Sequence, residues 1–229
     1  MSRTLAATRT VAQTRTTTSS RDIVNQNLIY NGNFELTPPF VAATAAANRW
    51  IDGTAAGSNA RKSYGWADIL NTGTCSVSFD GESPHSGTSS LKLSLTATGS
   101  RKDAQNVISA GTLANLQRTA PIISPNTNYT FTFWMRTNRS SGDSSNGAFV
   151  RLTEYNGAGT AGTQTSSTAV KTTTAWTQYT LTFTTGSTAR FLVVQLLNIG
   201  NTGTATLIMD AWFDDMILRP TIAPTRTLV

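Results

Sequence analysis

A chain of 229 residues with 38% apolar side chains, nine Phe, five Trp and five Tyr can fill one sizeable interior, which excludes wholesale disorder. Only 13% of the residues are charged, about half the share in an ordinary soluble domain, and 41 Thr with 22 Ser supply the solvation instead. The net charge of +6 sits at the ends, because Arg3, Arg9, Arg15 and Arg21 precede the first acid, Asp22, and Arg219 and Arg226 follow the last, Asp215. The neutral body between them argues against a domain-wide phosphate-binding face, which makes nucleic acid an unexpected partner, although four like charges on an arm could contact an acidic surface or nucleic acid.

In chain order, residues 1–22 read as a low-complexity Thr/Arg-rich arm. Its arginines recur every six residues, so an extended segment places Arg3, Arg9, Arg15 and Arg21 on one side, about 20 Å apart. The Thr-Arg-Thr triplet of the arm returns at residues 225–227, where Arg226 stands in a tail (220–229) opened by Pro220 and Pro224. Both ends are expected to tether the chain to neighbouring subunits. Between them, residues 23–219 carry strand signals. Tyr129, Phe131, Phe133 and Met135 alternate with Thr130, Thr132, Trp134 and Arg136. The same period of two runs through Leu91, Leu93 and Leu95 and through Tyr179, Leu181 and Phe183, while 189–199 is almost wholly apolar, as in a strand covered on both faces. Residues 204–218 read as the closing strand or strand pair, and a turn of helix is possible only near 112–118. Gly, Ser, Asn and Pro clusters punctuate these runs. The expected fold is all-β: a two-sheet antiparallel jelly-roll β-sandwich with extended N- and C-terminal arms.

Six short motifs stand in order: "NLIYNGNFE" (27–35), Gly65-Trp66, "SPHSGTSSLKLS" (83–94), "ISPNTNYTFTFWMRT" (123–137), "WTQYTLTFTT" (176–185) and "FDDMIL" (213–218). Together they resemble the carbohydrate-binding-module-like jelly rolls with the galactose-binding-domain fold. An Ala-, Asn- and Gly-rich stretch at 36–65 is longer than that family leads one to expect. The resemblance implies that the first strand pairs beside the last, which brings Glu35, Asp214 and Asp215 close together. It also implies a structural calcium near that place, with Ser86 supplying oxygen. Carboxylates on apolar strands need either a cation or N–H donors, and alternation leaves open whether Asp214 or Asp215 points inward.

A sugar-binding face needs aromatic rings for the C–H faces of pyranoses and planar polar groups for their hydroxyls. Trp50, Trp134, Tyr155 and Trp176 are the candidate rings, with Tyr64 besides, and Arg136, Arg151 and Gln178 are candidate polar partners. Trp134 and Arg136 share one face of their strand and lead the set, and Trp66 reads as core.

Chemistry that is missing narrows the rest. One Cys (Cys75) and one His (His85) make no internal disulfide and no Cys/His zinc site. No base accompanies a nucleophile, no phosphate loop is present, and no 18-residue apolar run spans a bilayer. The N-terminus lacks the apolar stretch of a signal peptide. The chain is therefore expected to be made in the cytoplasm and to end on a virion surface. The leading expectation is a non-catalytic structural or decoration protein of a phage-like particle, bound to other copies or subunits through its arms. The alternative is a glycan-binding module or adhesin facing a cell-surface glycan, and a weaker one is a glycan-acting enzyme.

Overall fold

The computed structural model describes residues 26–36, 49–50, 65–72, 75–97, 100–107, 112–141, 147–170, 173–200 and 208–221. The arm carrying Arg3, Arg9, Arg15 and Arg21, the tail from 222 with Arg226, and most of the 36–65 stretch lie outside the described residues. The strands are β1 (Arg49–Trp50), β2 (Ala67–Thr72), β3 (Cys75–Asp80), β4 (Ser90–Leu95), β5 (Arg101–Gln105), β6 (Asn128–Ser141), β7 (Ala148–Asn156), β8 (Ala161–Ser166), β9 (Thr177–Thr184), β10 (Ala189–Ile199) and β11 (Ile208–Pro220), with a short helix α1 (Leu113–Thr119) between β5 and β6. They form two sheets, β1-β2-β5-β10-β7-β8 (the six-stranded sheet) and β3-β4-β11-β6-β9 (the five-stranded sheet). Every pairing within them is antiparallel. This is the expected jelly-roll sandwich.

Period-two alternation places one row of each strand inside. Leu91, Leu93 and Leu95 of β4, Phe131, Phe133 and Met135 of β6 and Ala211 and Phe213 of β11 meet Val150 and Leu152 of β7 and Leu192, Val194 and Leu196 of β10 in one buried core. The apolar run of β10 is covered on both sides, since its outward Phe191 and Val193 pack under Leu116 of α1. A polar clamp crosses the core: the buried Asn198 donates from Nδ2 to the Leu93 carbonyl at 2.8 Å and the Met209 carbonyl at 3.0 Å, tying β10 to two strands of the opposite sheet. Strand β5 was masked in the sequence by its charges. Lys102 points inward to a buried ion pair with Asp68 of β2, while Arg101 and Asp103 face outward.

Residues 27–35 do lie beside the last strand, but not as a strand. Asn31 and Phe34 take left-handed backbone conformations (φ 49° and 54°), which break any continuous ladder. The segment is held instead by single bonds: Leu28 N–H to the Leu218 carbonyl, Asn27 Nδ2 to the Met216 carbonyl, and Leu218 N–H to Asn27 Oδ1. A Cβ at Gly32 would overlap the Met216 carbonyl oxygen, so only glycine permits this approach. The closing segment is one strand with a bulge between Asp214 and Ile217 rather than a pair.

Replacing Asn198 by Leu, of similar volume, leaves two carbonyls in the core without the clamp. The expected loss is about 1–3 kcal/mol in urea denaturation with an unchanged slope; equal stability would show that the clamp holds nothing.

Candidate functional site

The outer face of the five-stranded sheet carries the leading candidates. Register sets Lys92, Trp212 and Arg136 side by side across β4, β11 and β6, with Trp134 one step along. The Arg136 guanidinium lies between two indoles, 4.2 Å from the Trp212 ring centre and 5.3 Å from that of Trp176, and the Lys92 ammonium is 4.8 Å from Trp212. The β3–β4 loop folds over this laminate. Its His85 ring stacks on Trp134 with centres 3.8 Å apart and planes 17° apart, and meets Trp176 edge-on at 5.8 Å.

The polar tips of this face are spent on the protein as well. Arg136 Nη2 donates to the Glu82 carbonyl at 2.9 Å, Trp176 Nε1 to the Ser83 carbonyl at 3.0 Å, and Trp212 Nε1 to Asp80 Oδ2 at 2.8 Å. The structure thus brings Trp134, Arg136 and Trp176 together, but under their own loop rather than as an open platform. Tyr155 lies on the other sheet, packed against the α1 cluster. The side chain of Trp50, in β1, and the whole of Tyr64 are outside the described residues.

The bulge in β11 governs the carboxylates. Asp215 has φ 45°, which turns two successive acids toward the same loop. Asp214, on the Trp212 side of the strand, is fully buried and accepts from the backbone N–H groups of His85 (3.0 Å), Ser86 (3.3 Å) and Asp215 (2.8 Å). Asp215 is half-buried and accepts from His85 Nδ1 at 2.7 Å and from Ser86 Oγ at 2.9 Å. Glu35 accepts from Thr88 N–H, Thr88 Oγ1 and Ser89 N–H within 3.1 Å, and Gly87 (φ 62°) is required because a Cβ there would overlap its carboxylate. These acids face N–H and O–H donors. Among the described residues no three His, Cys, Asp or Glu side chains group to hold a metal. The observed role of Glu35, Ser86, Asp214 and Asp215 is to pin the loop.

The outer face of the six-stranded sheet has a different character. Gln195 of β10 stands opposite Gln105 of β5 on one side and Arg151 of β7 on the other, and Arg151 stands opposite Ser166 of β8. One step along, Leu197 lies between Asp103 and Phe149. Asp103 is fully buried in a cap made by Arg101 (2.9 and 2.6 Å, two bonds) and Gln195 Nε2 (2.7 Å). The Arg151 guanidinium is 5.6 Å from the Phe149 ring centre. Gln195, Arg151 and Phe149 are each part-exposed, and Ser166 is exposed. Of this row the sequence suggested only Arg151, as a polar partner. The rest carries no local signal, since the register that aligns it is set by strands far apart in the chain.

The family of carbohydrate-binding domains matches residues 26–197. The chain belongs to that family. No curated protein matches it by sequence. Among solved structures, the carbohydrate-binding domain is similar to the enzymatically active domain of tailspike protein 4 of bacteriophage CBA120, with 13% identity, a TM-score of 0.56, 85% of this chain covered and 21% of that one. The chain thus spans about a fifth of the length of that tailspike domain. It is also similar to a cyclase from Fischerella sp. TAU, with 16% identity, a TM-score of 0.50, and 86% and 97% of the two chains covered. At these identities the likeness is one of fold.

Burial pushes the Asp214 carboxyl up to about 6, with the Asp215 charge adding, against the pull of its N–H donors. Burial also pushes Glu35 up, but the hydroxyl and N–H of Thr88 and the N–H of Ser89 outweigh it and hold Glu35 below the usual carboxylate range. A raised folded pKa means that the carbohydrate-binding domain gains stability as pH falls through about 6 toward the unfolded value. The lowered Glu35 contributes above its unfolded value and loses that contribution only in stronger acid. Thermal unfolding of the wild type should therefore rise in Tm from about pH 7 to about pH 5 relative to Asp214→Asn; parallel curves would mean that Asp214 is ionised throughout.

Proposed function

We propose that the domain binds a glycan chain across the outer face of its six-stranded sheet, along the row Gln195, Arg151 and Ser166. The observation that carries this is that the planar tips of Gln195 and Arg151 stand part-exposed beside the Phe149 ring, with the exposed Ser166 hydroxyl next in the row, in a member of the carbohydrate-binding-domain family. Amide and guanidinium planes suit neighbouring sugar hydroxyls, and an aromatic face suits the C–H side of a pyranose. At about 4.8 Å per strand the accessible row runs roughly 10 Å from β10 to β8, a span for more than one sugar. The five-stranded face is less suited, since His85 covers Trp134 and the indole N–H groups of Trp176 and Trp212 are already bonded.

The family match supports glycan binding over the virion-decoration role expected first. The arms on which that role rested lie outside the described residues, and the tailspike likeness concerns the fold.

Isothermal titration against a panel of soluble polysaccharides tests the placement. Gln195→Ala should weaken binding about tenfold, the cost of one well-formed hydrogen bond, and the bound oligosaccharide should be recovered uncleaved. Trp134→Ala should lower Tm and leave the Kd within about twofold. Loss of binding in Trp134→Ala with none in Gln195→Ala would move the site to the other sheet.

A further inference from the structure

The charges on this same face suggest what kind of glycan it takes, and the step rests on the reading just given. Of the outward acids on the described strands of the six-stranded sheet, Asp103 is the one in the row's neighbourhood, and it is sealed. Arg101 grips it with two bonds, Gln195 adds a third, and no part of it reaches solvent. Glu154, on β7, points to the other side and accepts from Gly186 N–H at 2.9 Å. Lys102 and Asp68 pair in the interior. Arg151 is left over. It is part-exposed, and its side chain meets the Phe149 ring but no carboxylate among the described residues.

A guanidinium held partly out of water without an acid gives up hydration that a bound anion would restore. Phe149 beneath it also limits the directions in which its planar fork can point. Beside it stands Gln195, directly across the ladder, so that the two side chains leave the sheet about 5 Å apart. The Gln195 amide is oriented, because its Nε2 donates to Asp103. Its Oε1 bonds nothing among the described residues and is the end left to accept a hydroxyl. An anion receiver thus neighbours a hydroxyl acceptor at the spacing of one side-chain pair.

We infer that the face takes an acidic polysaccharide, with an anionic group of the sugar chain on Arg151 and a hydroxyl of the same region on Gln195. A fork-on-fork fit favours a carboxylate, and a sulfate ester presents related oxygens.

The full chain is titrated with polygalacturonate, with the same polymer after carboxyl reduction, and with dextran sulfate. The expected result is binding of polygalacturonate at least about tenfold tighter than of its reduced form, weakening as salt rises. Arg151→Gln should abolish that preference while the Tm stays near wild type, and Arg151→Lys should retain part of it. Tight binding of dextran sulfate alone, lost in Arg151→Gln, would support the anion reading with sulfate as its source. Equal binding of native and reduced polymer, or a preference that survives Arg151→Gln, overturns the inference. Neutral binding that depends on Gln195 overturns this step and leaves the glycan reading standing, whereas failure of every polymer overturns both.

Discussion

The bulge in β11 is the constraint around which both ends of the domain are arranged. Asp215 enters the left-handed region there, a conformation that non-glycine residues adopt at a cost. The ladder with β6 skips between Asp214 and Ile217 as a result. What stabilises the distortion is the set of bonds it makes possible. Met216 N–H donates to the Gly32 carbonyl at 2.9 Å, which seats the N-terminal segment. The two acids before it collect the backbone and side chain of residues 85–86, and Glu35, brought in by the N-terminal segment, collects residues 88–89. A straight strand would send Asp214 and Asp215 to opposite faces, and the loop would lose half of its anchors.

From that pinned loop follows the division of labour between the two outer faces. The loop lays His85 on Trp134 and offers the carbonyls of Glu82 and Ser83 to Arg136 and Trp176. Each cation–π contact in the laminate contributes about 0.5–2 kcal/mol, and Arg136 Nη2 and the indole N–H groups of Trp176 and Trp212 have partners within the protein. A ligand there would have to replace contacts already made. The six-stranded sheet has no such lid among its described loops over the row at Gln195 and Arg151, where polar tips remain part-exposed. The five-stranded face commits its rings and polar groups to its own loop, and the six-stranded face keeps Arg151 and the Gln195 Oε1 uncommitted among the described residues.

How much of this could be read from the residues depends on how local the cause is. Alternation in β4, β6 and β9 is a property of each segment alone, and it located these strands and the core row. Strand β5 was hidden because Lys102 breaks the expected pattern, and its inward position makes sense only with Asp68, which is thirty-four positions away. The period of two correctly put Trp134 and Arg136 on the outer face, but nothing local to β6 says that a loop from β3 to β4 will cover them. The gathering of Glu35, Asp214 and Asp215 was legible from the motif order. Their partners were not, since backbone N–H groups leave no mark in a sequence. Gln105, Gln195 and Ser166 are ordinary polar residues until the register aligns them.

The composition gains a physical meaning once the faces are known. Threonine solvates the five-stranded sheet beyond the laminate, with Thr180, Thr182 and Thr184 of β9 outward and Thr132 and Thr130 of β6 opposite the first two. Hydroxyls bond water without a long-range field, so such a surface neither attracts nor repels a charged polymer. In a domain solvated that way, charges are few and several are paired with one another: Lys92 with Asp80 and Asp210, Arg101 with Asp103, and Lys102 with Asp68. Arg136 is the instructive comparison, being a cation without a carboxylate that is nonetheless enclosed by two indoles and a carbonyl. Arg151 has one ring beneath it and solvent above, on the sheet face whose nearest acid is already neutralised. Its distinction is therefore one of context, and it is the difference between a cation used to hold the fold together and a cation left for something outside it.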